Sequence, residues 1–240
     1  MKIEILYPEI CTLYGDKGNT MYLQKCLPDA EFVTTGLNEK PLFLKENIDM
    51  VYMCSMSEKS QELVLDRLMQ YKDEIAACMK DGKALFLLVG NSMELLGDYI
   101  KREDGTRVTG LGVVPGMYSV RQTPNRFNTL IKAKFNDMTL IGYTSRFAHT
   151  YGIPDDMAFC KVEIGQGSNP DTMNEGICKN RVIATYIHGP LLIQNPDFVH
   201  YLLEKLDAPM KEIPFEAAMR KAYDCLLYTS PSPRDKRQSR

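Results

Sequence analysis

Several large functional classes need features that this sequence lacks. The three histidines, His149, His188 and His200, show no metal-ligand spacing. The seven cysteines, Cys11, Cys26, Cys54, Cys78, Cys160, Cys178 and Cys225, include no C-x-x-C pair of the kind that binds zinc or runs redox chemistry. Neither a metal site nor any other cofactor is expected, and scattered reduced thiols suit a reducing compartment. Basic residues are not in excess, since 29 Lys and Arg face 31 Asp and Glu for a net charge of -2. A phosphate-backbone footprint needs clustered cations that outweigh the acids, so nucleic acid is not an expected partner. No stretch approaches the roughly eighteen apolar residues that span a bilayer. The N-terminal Met-Lys-Ile-Glu-Ile-Leu alternates as a strand does, unlike a signal peptide, so a cytoplasmic protein without membrane insertion is expected.

What is present reads as one large α/β domain, for which 240 residues with 44% hydrophobic content supply enough core. The N-terminal half alternates short β-rich runs with helical periodicity, the pattern of βαβ units and a mostly parallel sheet. Strands are predicted at Ile3 to Tyr7, Ala30 to Thr35, Met50 to Cys54 and Ala84 to Val89. One amphipathic helix is predicted over Glu58 to Met79, with Val64, Leu68, Tyr71, Ile75 and Met79 forming its apolar stripe. Leu85 to Val89 is continuously apolar, as a strand buried on both faces must be, and ends in Gly90-Asn91-Ser92 before Met93-Glu94-Leu95-Leu96. Strand, tight turn and helix is where open α/β sheets place their chemistry. From Gly105 to Ile187 the composition shifts to Gly, Thr, Val and Tyr, which predicts an antiparallel extension with turns at Asn169-Pro170-Asp171 and Lys179-Asn180. Helices are predicted near Pro196-Asp197 and Pro214-Phe215.

The domain is placed at residues 1–224. The last 16 residues, Cys225 to Arg240, lack apolar periodicity and carry two Ser-Pro steps with four basic side chains, a composition that predicts disorder. They look like an appended, non-native segment; a basic arm for nucleic acid or membrane is the other reading.

Three segments, taken in order, carry a resemblance: Leu13-Tyr14-Gly15-Asp16-Lys17-Gly18-Asn19, Thr123-Pro124-Asn125-Arg126-Phe127, and Thr185-Tyr186-Ile187-His188-Gly189-Pro190-Leu191-Leu192. Together they resemble the CobB/CobQ-type class I glutamine amidotransferases, and among these the glutaminase subunits of lipid II isoglutaminyl synthase. The resemblance implies a three-layer, flavodoxin- or Rossmann-like sheet flanked by helices. It implies a subunit that draws ammonia from glutamine and passes it, within a heterodimer, to an ATP-dependent, Mur-ligase-like synthetase. That partner amidates the D-glutamate of the peptidoglycan precursor. His188 then falls on the general base, Asp16 on the acid that supports it, and Arg126 on the arginine that holds glutamine. These types suit the chemistry, since a thiol needs an imidazole to take its proton, the imidazole needs an orienting group, and an arginine fork suits an α-carboxylate. Outside the motif, His188 reads as a hydrogen-bonded strand-end histidine, Asp16 as a turn former or N-cap, and Arg126 as a solvated charge.

The sequence departs from the family at the elbow. Relatives carry Cys-Gly-Gly-Tyr-Gln followed by an apolar pair and Gly, whereas this chain has Gly90-Asn91-Ser92-Met93-Glu94-Leu95-Leu96-Gly97, which sets Gly90 on the nucleophile. Glycine tolerates a strained elbow but has nothing with which to attack an amide. Where relatives have a Gly-rich loop whose N-H groups stabilise the oxyanion, this chain has Cys54-Ser55-Met56. Cys54, Ser55 and Asn91 are thus the oxyanion-loop positions, and side chains there crowd a substrate carbonyl. Cys54 from the neighbouring strand, or Ser92 in a partial G-x-S-x-G elbow, are the available substitutes for the nucleophile. The expectation is an amidotransferase-like subunit with impaired glutaminase activity. The alternative is a non-catalytic scaffold or an amino-acid-binding regulatory module.

Overall fold

The computed structural model describes residues 1–229. Its main sheet has nine strands in the order β2-β1-β3-β4-β13-β12-β11-β8-β9. The parallel part consists of β1 (Lys2–Leu6), β2 (Glu31–Thr35), β3 (Met50–Met53), β4 (Leu85–Val89) and β13 (Val182–Thr185). β3, β4 and β13 are buried at every position, which is why their sequences run apolar instead of alternating, apart from Thr185, whose hydroxyl donates to Glu175 Oε2 at 2.7 Å. The predicted strands lie within one residue of those observed. The first ends early because Tyr7 turns to a positive φ of 52°.

The strand order reverses between β1 and β3. The chain leaves β1 through α1 (Lys17–Cys26) to reach β2 on one side, and leaves β3 through α2 (Glu58–Met69) and α3 (Lys72–Asp81) to reach β4 on the other. Right-handed crossovers in opposite directions put these helices on opposite faces and open a crevice at the carboxyl ends of the strands. The single helix predicted over Glu58 to Met79 is two helices. The Tyr71 N-H bonds the Leu68 carbonyl at 2.9 Å in a tighter turn, and the axis restarts so that Val64, Leu65 and Leu68, then Ile75 and Met79, all remain buried. Periodicity survives such a break, so the sequence pattern did not reveal it.

The predicted antiparallel extension is split between two sheets. β8 (Phe127–Phe135), β9 (Met138–Arg146), β11 (Ala158–Ile164) and β12 (Asn174–Lys179) lengthen the main sheet. A separate four-stranded sheet has the order β10-β7-β5-β6, from β5 (Tyr99–Lys101), β6 (Arg107–Thr109), β7 (Tyr118–Arg121) and β10 (Ala148–Tyr151). β12 joins β13 through Asn180-Arg181, both at positive φ (49° and 62°), the two-residue turn that matches strand twist.

After β13 come a short α4 (Leu191–Gln194), then α5 (Pro196–Lys205) and α6 (Glu216–Thr229), which pack on one another and on β9. α6 runs past the expected boundary at 224, so Cys225 to Thr229 are helical rather than disordered; the remainder of the expected tail, 230–240, lies outside the described residues. Among the described residues no helix is long and apolar enough to cross a membrane.

Candidate active site

Four neighbouring parallel strands, β1, β3, β4 and β13, each deliver one residue of the candidate site from their carboxyl ends: Asp16, Ser55, Gly90 and His188. All four are buried, at 0% exposure for Asp16 and 1% for His188. His188 Nδ1 lies 2.9 Å from Asp16 Oδ2. A carboxylate oxygen can only accept, so Nδ1 carries the proton and the lone pair resides on Nε2.

The Asp16 loop is fixed from below. Tyr52 donates from its hydroxyl to the Asp16 carbonyl at 2.9 Å and accepts from Asn19 Nδ2 at 3.0 Å. Asn19 Oδ1 in turn accepts from the Leu192 N-H at 2.9 Å, joining the start of α1 to the segment that follows His188. Gly18 allows this approach, because a Cβ there would lie 2.6 Å from Pro190 Cγ. On the other side, Tyr143 in β9 pairs with His188 through both backbone bonds. The Tyr14 ring lies against the imidazole with centroids 4.6 Å apart, and Tyr143 lies at 5.7 Å.

Gly90 is at the elbow with φ of 72°, the left-handed region in which glycine costs least. A Cβ built there would point at the imidazole, 2.6 Å from His188 Cε1, so residues 90 and 188 do face each other across one crevice. The same Cβ would overlap the Ser55 hydroxyl and lie 2.9 Å from Ser55 Cβ. The space in which a nucleophilic side chain would start is therefore filled. Ser55 Oγ lies 3.0 Å from Asp16 Oδ2, 3.3 Å from His188 Nδ1 and 3.4 Å from the Val89 carbonyl. It faces the protonated ring nitrogen, which cannot take its proton, so the contact does not activate Ser55 for attack.

The other oxyanion-loop positions are also occupied. Asn91 Oδ1 accepts from the Met56 N-H at 3.0 Å, and Asn91 Nδ2 donates to the Met56 carbonyl at 2.8 Å. Cys54 turns away from the crevice and donates to the Cys11 carbonyl at 2.6 Å. Burial, reinforced by the charge of Asp16, pushes its thiol up to about 12, the reverse of what a nucleophile needs. Ser92 points back at the Val89 carbonyl, 2.8 Å away, and is fully buried. Neither substitute faces His188 as a nucleophile must.

Arg126 is brought to the rim. Its guanidinium carbon lies 4.6 Å from the Phe147 ring centroid and 5.9 Å from that of Tyr14, the ring that covers His188. Below the elbow, Glu94 Oε1 accepts from Tyr186 Oη and Oε2 from Gln61 Nε2, both at 2.9 Å. Burial raises the pKa of this carboxyl. Sequence reasoning missed the roles of Tyr52, Asn19 and Tyr143, and that the Met56 backbone binds Asn91. Asn19 and Met56 stood inside strings already singled out, whereas Tyr52 and Tyr143 act through positions that only the pairing of distant strands defines.

A βαβ crevice with an acid, an imidazole and a strand-to-helix elbow at the ends of adjacent parallel strands defines the class I amidotransferase type of domain. Residues 2–196 match the CobB/CobQ-like glutamine amidotransferase domain, and the chain belongs to that family. It is 27% identical over 207 residues to the lipid II isoglutaminyl synthase (glutamine-hydrolyzing) subunit GatD of Streptococcus pneumoniae, covering 85% of this chain and 79% of that one. With the subunit of the same name from Staphylococcus aureus it shares 27% identity over 206 residues, covering 85% and 83% of the two chains. Among solved structures, a glutamine amidotransferase superposes with a TM-score of 0.55 at 13% identity, covering 85% of this chain and 98% of that one. PurLQS from Thermotoga maritima superposes with a TM-score of 0.53 at 12% identity, covering 78% and 86%. These two likenesses establish the fold.

Proposed function

We propose that this chain is the amidotransferase-like subunit of a two-subunit cytoplasmic enzyme of the lipid II isoglutaminyl synthase type, and that its own pocket no longer hydrolyses glutamine. The observation that carries the second half is at residue 90. The elbow keeps its backbone conformation and still faces His188, but offers no atom that can form a thioester, and the space for one is taken by Ser55. Loss of a covalent nucleophile removes on the order of three or more powers of ten in rate, and water activated by His188 alone is a poor substitute. In this reading a Mur-ligase-like, ATP-dependent partner performs the amidation with free ammonia, and the chain described here stabilises that partner.

The test is amidation by the complex with glutamine or with ammonium chloride as the nitrogen source. The expected result is activity with ammonium and none above background with glutamine. Ammonia release from glutamine by the purified chain at an enzymatic rate, abolished by Cys54→Ala, would overturn the reading.

A second reading is favoured by the rim. Arg126, Tyr14, Tyr143 and Phe147 surround the crevice mouth as they would an amino-acid carboxylate and its stem, so the domain serves as a non-catalytic binding module. Calorimetric titration with glutamine tests this, with heat expected for the unaltered chain and lost in Arg126→Ala. The absence of heat in both sinks it.

A further inference from the structure

We infer that Ser55 and Asn91 form an internal lock on the degenerate pocket, so that the missing nucleophile is only one of three barriers to glutamine chemistry. This inference rests on the amidotransferase reading above and specifies what keeps that site silent.

The two side chains occupy different parts of a reaction centre. Ser55 lies where a nucleophile at position 90 would begin, and its hydroxyl is held by Asp16 Oδ2 and the Val89 carbonyl in addition to its contact with His188. Rotating the hydroxyl away does not clear the site, because Ser55 Cβ itself would lie 2.9 Å from a Cβ at position 90, inside the closest approach of real carbon atoms. Residues 55 and 90 are therefore matched: a side chain at 90 requires glycine at 55, together with a small shift of the His188 ring, whose Cε1 would otherwise lie 2.6 Å from it. Asn91 closes the second part. Its carboxamide makes two hydrogen bonds to the Met56 backbone, accepting from N-H and donating to C=O. An N-H at this loop is the group that would stabilise the oxyanion of a substrate amide, and here it already binds a carboxamide that belongs to the chain. The Asn91 backbone carbonyl is held in addition by Gln61 Nε2 at 2.8 Å, which fixes the residue in place.

The lock is tested by arming the elbow and removing the two side chains in turn. Gly90→Cys, Gly90→Cys/Ser55→Gly and Gly90→Cys/Ser55→Gly/Asn91→Gly are each treated with a glutamine-derived chloroketone, and modification of residue 90 is followed by peptide mass mapping. In the labelling step the thiol proton passes to His188 Nε2 as the sulfur adds to the ketone carbon, whose oxygen becomes an oxyanion within reach of the freed Met56 N-H; the sulfur then displaces chloride from the adjacent carbon, and its bond to the former ketone carbon breaks as the C=O re-forms, leaving a thioether, a protonated His188 and chloride. The expected result is negligible labelling of Gly90→Cys, slow labelling of the double variant, and labelling of the triple variant about a hundredfold faster than the double, the usual effect of one oxyanion donor. Equal labelling of Gly90→Cys and the triple variant overturns the lock, as does a folded triple variant that is not labelled. If the triple variant does not fold, hydrogen exchange decides the Asn91 half. Asn91→Gly in the otherwise unchanged chain is expected to speed exchange of the Met56 amide by at least about tenfold, and unchanged exchange counts against the lock. None of these measurements needs the synthetase, so failure of the lock is distinct from failure of the proposed function, which the choice between ammonium and glutamine tests.

Discussion

Asp16 and His188 are 172 residues apart in the chain and 2.9 Å apart in space, both fully buried. The pair is held for a physical reason: each partner satisfies a buried polar group of the other. His188→Ala leaves the buried Asp16 carboxylate with only the Ser55 hydroxyl, and Asp16→Ala leaves the Nδ1-H with only that same hydroxyl at 3.3 Å, so each is expected to cost about 1–3 kcal/mol of stability. The double variant should cost about 1–3 kcal/mol less than the sum, because neither stranded group is then present. Urea midpoints of the four proteins check this, and strict additivity would show that the pair is not a tie.

The fit between Gly90 and Ser55 makes a separate claim on stability. Gly90→Ala places a methyl group against the Ser55 hydroxyl at a φ of 72°. Overpacking of this sort costs about 1–3 kcal/mol, and an alanine in the left-handed region adds about 1 kcal/mol. Ser55→Gly added to Gly90→Ala should recover the share of the first part that Ser55 causes, and leave the 2.6 Å contact with His188 Cε1 and the backbone cost. Thermal melts that show no recovery would mean that the clash lies elsewhere.

The legibility of these features in the sequence differs for reasons that can be named. Leu85 to Val89 was readable as a central strand because a strand buried on both faces has only apolar choices. The facing of residues 90 and 188 followed only from the resemblance: the composition had set residues 182–185 in the antiparallel extension, whereas β13 runs parallel to β4, with Val89 opposite Thr185. The two-sheet division of the region from Gly105 to Ile187 was not readable. β9 and β10 are separated only by Phe147, and alternation within a strand does not say which sheet the strand joins. The occupied pocket was readable only as crowding: the residue types at 54–56 announce side chains, but whether Ser55 or Cys54 turns inward depends on β3 ending at Met53 rather than Cys54. Cys54 was a possible thiol in the sequence; in the fold it donates to Cys11.

Stability should fall on mild acidification because of His149. The residue is buried, at 3% exposure, and its Nδ1 has no hydrogen-bond partner. Burial, reinforced by the positive charge of Arg146, pushes its pKa down to about 4. The unfolded chain takes up this proton below about pH 6.5, whereas the folded chain resists it until about pH 4. In that window the unfolded state binds more protons, so stability decreases as pH falls, by up to about 1.4 kcal/mol per unit. His149→Phe removes the difference. Between pH 7 and pH 5 the unaltered chain is expected to lose about 2 kcal/mol more than the variant, measured by urea unfolding at each pH. Parallel losses in the two proteins would contradict the assignment.

A second pH dependence has the opposite origin and lies lower. Glu62 on α2 receives Arg102 through Nε at 2.9 Å and Nη2 at 2.7 Å, and Arg121 through Nη1 at 2.6 Å. Hydrogen bonding from Arg102, followed by the bond and charge of Arg121, holds this carboxyl at about 2. Because the folded pKa is depressed, the contribution is complete above about pH 4.5 and is lost as pH falls towards 2. The side chain is 28% exposed, and solvent screening keeps the effect to about 1–2 kcal/mol. Glu62→Gln should therefore be less stable than the unaltered chain by that amount at pH 7, with the difference vanishing near pH 2. Arg121 belongs to β7 and Arg102 follows β5, so Glu62 ties α2 to the small sheet, alongside the bonds of Arg121 to the Glu58 carbonyl at 3.2 Å and to Gln61 Oε1 at 3.1 Å. The loss should accordingly be local, with faster hydrogen exchange in β5 and β7 and little change in the buried strands β3 and β4. A uniform change across both sheets would show that Glu62 supports the whole fold rather than this one contact.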